Sequence, residues 1–156
     1  MKLEFLMEYS ATLRQPVDTV GPGPFGNRRI FTVTGGAFEG PRLRGRVLPS
    51  GGDWLLTDAS GTARLDVRAT LEADDGALIY VQYFGVNRTD SDRPQRPPGE
   101  HAEYGDRYFM TTPRFETGAE RYAWLNGMVC VAEGKGIPGG VAYRVYSVVN
   151  DGAALA

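Results

Sequence analysis

Cysteine and histidine each occur once in the 156 residues, as Cys130 and His101. A single cysteine excludes an internal disulfide, and one residue of each kind cannot assemble a zinc site of the usual His/Cys type. Cys130 lies among Met128, Val129, Val131 and Ala132, surroundings that suit a buried, inert thiol better than a nucleophile. His101 sits in the polar stretch Gly99–Glu103 and reads as a solvated loop side chain. No Ser-His-Asp or Cys-His arrangement can be built around it. Gly134-Lys135-Gly136 lacks the spacing of a phosphate loop. Long apolar runs are also missing, and none approaches a membrane span. Nor is there a basic excess: 17 Lys and Arg stand against 19 Asp and Glu, so nothing points to nucleic acid. The first residues alternate as a strand does and place Glu4 where a secretory signal would be apolar. The expectation is a cytoplasmic protein that uses no metal and no organic cofactor and has neither nucleic acid nor membrane as partner.

What is abundant is glycine, with 21 residues, and aromatic side chains, with eight Tyr, seven Phe and two Trp. Period-two alternation dominates, and no long amphipathic helix is found. Strands are expected at 2–13, 27–38, 42–48, 53–58, 63–72, 77–86, 107–112, 123–132 and 141–149, with a short helical turn near Thr117–Tyr122. Turn chemistry falls between them at Gly21–Pro24, Ser50–Gly52, Ser60-Gly61, Asp74–Gly76 and Pro138–Gly140. Strands this numerous and this evenly spaced suit an all-β, single antiparallel β-barrel, because closure removes exposed edges. One domain, 1–156, is expected. The polar segment 87–106, with Pro94, Pro97 and Pro98, is either a surface excursion or oligomer arm, or a lid over a site.

The stretch from Gly35 to Trp54 is the most informative. It reads Gly35-Gly36-Ala37-Phe38-Glu39-Gly40-Pro41-Arg42-Leu43-Arg44-Gly45 and closes on Gly51-Gly52-Asp53-Trp54. Glycines recur where strands bend or where another backbone approaches closely. An acid and an indole follow them, as at a barrel corner beside a pocket. Together with Leu65–Arg68, Asp74–Val81, Tyr108–Thr117, Arg121–Asn126 and Val145-Tyr146, this stretch resembles a bacterial and fungal family known as domain-of-unknown-function family 3237. The resemblance implies a closed or nearly closed antiparallel barrel of about eight or nine strands, calycin-like and similar to the allene-oxide-cyclase and dirigent barrels. It implies no settled activity. The family's usual Pro-Gly-Gly-Ala-Asp-Trp stands here as Pro49-Ser50-Gly51-Gly52-Asp53-Trp54.

The hairpin around Asp74-Asp75-Gly76 can be phased from its own residues. A type I turn with Gly76 as a bulge pairs Ala73 with Ala77. Val67, Ala69 and Leu71 then share one face with Tyr83, Val81 and Ile79, while Asp66, Arg68 and Thr70 share the other with Phe84, Gln82 and Tyr80. Two readings follow. Either the apolar face fills the barrel and Asp66/Arg68 is an exposed cross-strand pair, or Asp66, Arg68, Tyr80 and Gln82 surround a ligand. In the second case Leu65, Val67, Ala69 and Leu71 need cover outside, which a homodimer or larger assembly supplies. The hairpin alone leans to the first reading; the resemblance brings the second level with it, because Asp66 and Arg68 fall in its motif.

Asp53-Trp54 either caps a turn and fills the core, or is a further candidate, since desolvation raises a carboxyl pKa into a useful range. Trp124 and Asn126 are expected on one strand face, where Asn126 would polarise a ligand carbonyl. Tyr108 and the other strand tyrosines offer hydroxyl donors suited to phenolic ligands. The composite expectation is a cofactor-independent enzyme acting on a small hydrophobic or aromatic metabolite by cyclisation, isomerisation, or water addition or elimination. Asp53, Asp66 and Arg68 would carry proton transfer and oxyanion binding; Trp54, Tyr80, Gln82, Tyr108, Trp124 and Asn126 would shape the pocket. The alternative is a barrel that carries or sequesters such a molecule unchanged.

Overall fold

Local chemistry sets the register of the hairpin at Asp74–Gly76. Gly76 takes φ +85°, and the Ala73 N–H donates to the Ala77 carbonyl at 2.9 Å. That is the bulged type I turn the residues call for. Leu71 then pairs with Ile79, Ala69 with Val81 and Val67 with Tyr83, and all six are buried. Asp66, Arg68 and Thr70 oppose Phe84, Gln82 and Tyr80 on the other side. The apolar face is the inner one.

The computed structural model describes residues 1–90 and 100–152. Its strands are β1 (Lys2–Leu13), β2 (Asp18–Gly23), β3 (Gly26–Glu39), β4 (Arg44–Thr57), β5 (Ala63–Ala73), β6 (Leu78–Arg88), β7 (Tyr108–Glu116), β8 (Cys130–Ile137) and β9 (Gly140–Val149), with a 3₁₀ helix at Glu120–Gly127 before β8. The sheet runs β1-β9-β8-β7-β6-β5-β4-β3-β2, and β1 also pairs with β3. That second pairing closes eight strands into an antiparallel barrel and leaves β2 as an extra strand on β3. Among the described residues no helix is long and apolar enough to cross a membrane.

Three elements differ from the sequence reading. β2 occupies a stretch read as a Gly/Pro turn; its backbone groups are satisfied by β3, a pairing that outweighs poor strand propensity. The segments read as two strands at 42–48 and 53–58 form one strand, β4. Its register runs from Val47↔Leu71 to Gly51↔Ala69, so Leu48, Pro49 and Ser50 stand against Thr70 alone. This bulge inserts two extra residues, and an even insertion leaves the inward–outward alternation in phase. Asp53 is therefore returned to the inner face with Val47. The segment 123–132 is not one strand: its first half belongs to the 3₁₀ helix. Tyr122 and Leu125, three apart and thus on one face of such a helix, are buried at 4% and 0% exposure.

The barrel interior has two unlike halves. Met7, Leu71, Ile79, Phe115 and Val145 fill one, and the 3₁₀ helix plugs its end. A layer of tyrosines crosses the middle: the Tyr9 and Tyr143 rings stack at 5.8 Å, and Tyr83 meets Tyr143 edge-on at 5.4 Å. Beyond this layer the barrel is hollow.

Candidate active site

The hollow half is a cavity of about 310 Å³, at the small end of the range for ligand pockets. Leu13, Phe31, Val33, Leu55, Val67, Phe109 and Val141 form its walls, with Tyr83 and Tyr143 at its base. Asn87, Ala102, Glu103, Asp106, Arg107, Lys135 and Gly136 ring the mouth. The polar groups there are engaged with one another. Lys135 Nζ meets Glu103 at 3.4 Å, Arg107 Nε donates to Asn87 Oδ1 at 2.7 Å, and the Glu103 N–H donates to Asp106 at 2.7 Å. Glu103 and Asp106 belong to the polar segment 87–106, so its C-terminal part borders the opening. The prolines of that segment, and whether it acts as a lid, lie outside the described residues.

Asp53 is the carboxylate on the cavity wall itself. Its register partners are Phe31 on β3 and Val67 on β5, both inward-facing. The β4–β5 register resumes only at Leu56↔Arg64, and in the gap the Asp53 carboxylate accepts the Asp66 N–H at 3.0 Å. The Arg28 guanidinium likewise donates to the Trp54 carbonyl. Burial pushes the Asp53 pKa up to about 6. The Asp66 N–H opposes that rise, the Asp66 charge adds to it, and the charges of Arg28 and Arg29 lower it. Tyr83 and Tyr143 are held well above the usual phenol range, chiefly by burial, so both hydroxyls stay protonated. The site thus joins a carboxylate that titrates near neutrality to neutral O–H donors in apolar walls.

The other residues singled out from sequence lie elsewhere. Asp66 and Arg68 are on the outer face, paired at 3.1 Å with their side chains 36% and 43% exposed. Such a pair contributes on the order of 0–1 kcal/mol. The expectation that they line the pocket is overturned, because the inner face of β5 belongs to Leu65, Val67, Ala69 and Leu71. Trp54 is outside as well, with the Arg68 guanidinium 5.6 Å over its ring. Tyr80 and Gln82 share that exterior, and Gln82 accepts from Arg114 at 3.3 Å. Tyr108 points outward beneath Arg88 at 4.2 Å. Trp124 lies in the 3₁₀ helix against the Arg42 guanidinium at 3.8 Å. Asn126 closes a loop by accepting the Thr117 N–H at 2.8 Å and donating to the Thr117 carbonyl at 2.9 Å. Both are at the plugged end, so neither can polarise a ligand in the cavity. Of the residues chosen in advance, Asp53 alone reaches it.

Tyr83, Tyr143, Phe31 and Phe109 were not singled out. Tyr83 was phased onto the apolar face, and Val141-Tyr143-Val145 carries the same alternation. Each residue's face was readable; their convergence in one layer was not. Cys130 is buried, its pKa pushed up to about 11 by burial, and His101 is exposed. Among the described residues no three His, Cys, Asp or Glu side chains group as metal ligands would.

A closed antiparallel barrel with one hollow end and a desolvated carboxylate inside defines a β-barrel protein with an internal cavity. The chain belongs to the family described as "Protein of unknown function (DUF3237)", which matches residues 1–148. It is 36% identical over 110 residues to a UPF0311 protein of Rhodopseudomonas palustris, covering 70% of this chain and 72% of that one. A solved β-barrel-like protein from Acinetobacter baumannii is 37% identical, with a TM-score of 0.84 and 94% of each chain covered. An enzyme from Penicillium herquei shares the fold at a TM-score of 0.67 and 22% identity, over 95% of this chain and 94% of its own.

Proposed function

We propose that this protein is a cofactor-independent enzyme that moves a proton within a small, largely apolar or aromatic molecule held in the barrel. The observation that carries this reading is Asp53 on the cavity wall, its pKa raised to about 6. At neutral pH it is ionised yet desolvated, the state of an effective general base. The neutral hydroxyls of Tyr83 and Tyr143 lie at the base of the same cavity and are suited to stabilise an oxyanion formed as the proton leaves. Returning the proton to a different atom completes an isomerisation; internal attack by the activated oxygen or carbon gives a cyclisation; loss or capture of water gives elimination or addition. The test is to incubate the protein with a small-metabolite extract in D₂O and follow masses. A metabolite that gains deuterium, or is converted to an isomer or a hydrated or dehydrated product, supports the reading.

A carrier is the second reading, favoured by the apolar walls and by mouth polar groups already engaged with one another. It predicts retention of a ligand from the extract with neither deuterium uptake nor conversion.

Both readings require an open mouth. Gly136 faces inward beside its register partner Val141, and a Cβ built there meets nothing within 4 Å. Gly136→Phe should therefore fold normally and weaken binding of the neutral fluorophore N-phenyl-1-naphthylamine roughly tenfold or more. Unchanged binding would place the probe outside the barrel.

Leu65, Val67, Ala69 and Leu71 are covered inside the barrel, so we propose self-association through the outer face instead. On the outer face Leu3, Phe84 and Met110 are 56%, 56% and 40% exposed along a groove they share with Val86, Val131 and Tyr146. Exposed apolar patches of this kind mark interaction surfaces. Across the groove runs one register row, Arg64–Val86–Met110–Glu133. A second copy related by a twofold axis that runs across this row would set Arg64 of each against Glu133 of the other. Sedimentation equilibrium at micromolar concentration should give a dimer, and Phe84→Asp a monomer. A monomeric wild type would remove the proposal.

A further inference from the structure

Arg29 carries a buried polar group that nothing described so far explains. It precedes Phe31 by two residues on β3 and so shares the inner row with Phe31 and Val33. Its register partner is Leu55, and Phe31, Val33 and Leu55 all line the cavity. The guanidinium carbon lies 5.3 Å over the Phe31 ring. Its Nε is buried without a hydrogen-bond partner, and among the described residues the guanidinium makes no ion pair. Asp53 senses its charge but is not bonded to it. An arginine donor left buried and unpaired is unfavourable, because guanidinium groups seek planar, charged acceptors.

The other cations at the opening are committed. Lys135 is held by Glu103 and Arg107 Nε by Asn87. Arg29 is thus the cation with an unanswered donor beside the apolar wall. We propose that Arg29 anchors an acidic group of the ligand, so that the cavity selects molecules with a flat apolar body and a carboxylate, sulfonate or phenolate at one edge. The body would lie along Phe31 and Phe109 toward the tyrosines. The acid would receive the Arg29 N–H, and the reacting position would be presented to Asp53. This inference rests on the reading of the cavity as a ligand site and narrows it to one class of ligand.

Two fluorescent probes with the same ring skeleton separate the claims. 1-Anilinonaphthalene-8-sulfonate carries the acid, and N-phenyl-1-naphthylamine lacks it. Wild type should bind the sulfonate about tenfold more tightly than the neutral probe, the scale of one charge-assisted hydrogen bond. Arg29→Met should abolish that preference while leaving neutral-probe affinity unchanged, which also shows that the barrel is intact. Arg29→Lys should restore part of it, since lysine keeps the charge but not the planar fork. Equal affinity of wild type for both probes overturns the proposal and leaves the cavity reading standing. Parallel loss of both probes in Arg29→Met also overturns it, by making Arg29 a packing residue. Failure of wild type to bind either probe removes the cavity reading and this inference together.

Discussion

Asp53→Asn should abolish turnover, lowering it by about 10²–10⁴-fold, the usual contribution of a general base, while leaving probe affinity near wild type. Asparagine keeps an oxygen to accept the Asp66 N–H, so the gap in the β4–β5 ladder stays satisfied. The wild-type rate should rise with pH through about 6, where the Asp53 carboxyl ionises, and level off above it. The same shift has a consequence for stability whose sign is opposite to that of most carboxylates. The folded pKa lies above the ordinary 3.8, so the native state holds the proton more tightly than the unfolded chain does. That stabilisation is complete below pH 3.8, declines as pH rises through about 6, and is absent above. Asp53→Asn lacks this decline and should be the more stable protein at pH 7, by on the order of 2 kcal/mol. Denaturant unfolding at pH 4 and pH 7 checks it. Equal stability of the two proteins at pH 7, or turnover retained in the variant, would remove Asp53 from its role.

Gly51→Ala should be among the most damaging single substitutions in the chain. Gly51 has φ +81°, and a Cβ there would lie 2.0 Å from the Arg68 carbonyl oxygen of the neighbouring strand. No side-chain rearrangement relieves a clash with backbone, so β4 and β5 must separate at the bulge. A loss of about 3–5 kcal/mol is expected, because the clash adds to the roughly 1–3 kcal/mol of strain at a special backbone position. In a domain of this size that corresponds to a fall in Tm of roughly 10 °C. Gly76 provides the control, with φ +85° and nothing within 4 Å of its absent Cβ. Gly76→Ala incurs the backbone term alone, about 1–2 kcal/mol. If the two variants melt together, close strand approach is not what requires glycine at 51. Because Asp53 follows Gly51 by two residues, any Gly51→Ala protein that folds should also lose turnover.

These two residues mark how far the sequence could be read. Turn chemistry is local, so the residues on each face of the Asp74–Gly76 hairpin could be sorted from the turn alone, but which face turns inward could not. The bulge at Leu48–Ser50 is not local. It is defined by what β5 places opposite, and the parity that turns Asp53 inward and Trp54 outward passes through it. Asp66 and Arg68 drew attention because they fall in the family's motif, yet a polar row alternating with an apolar one is also what an exposed face looks like. β2 was unreadable for the reverse reason: Gly21, Pro22 and Gly23 form a strand only because β3 supplies the partners. Trp124-Leu125-Asn126 read as a strand because an apolar run of that length has no period of its own. Its helical form follows from the need to close the barrel end with Tyr122 and Leu125.

The tyrosine layer between the two halves of the interior separates heritable risk from chemical opportunity. Side chains on the filled side touch one another, so replacing any of them disturbs several neighbours and is exposed to selection as misfolding. Side chains on the hollow side face empty volume or ligand, and many can change size or polarity at little cost to folding. Substitutions on the hollow side can therefore reshape the cavity while the folding half is left as it is. A barrel divided in this way lends itself to directed evolution, with mutagenesis confined to the rows above Tyr9, Tyr83 and Tyr143.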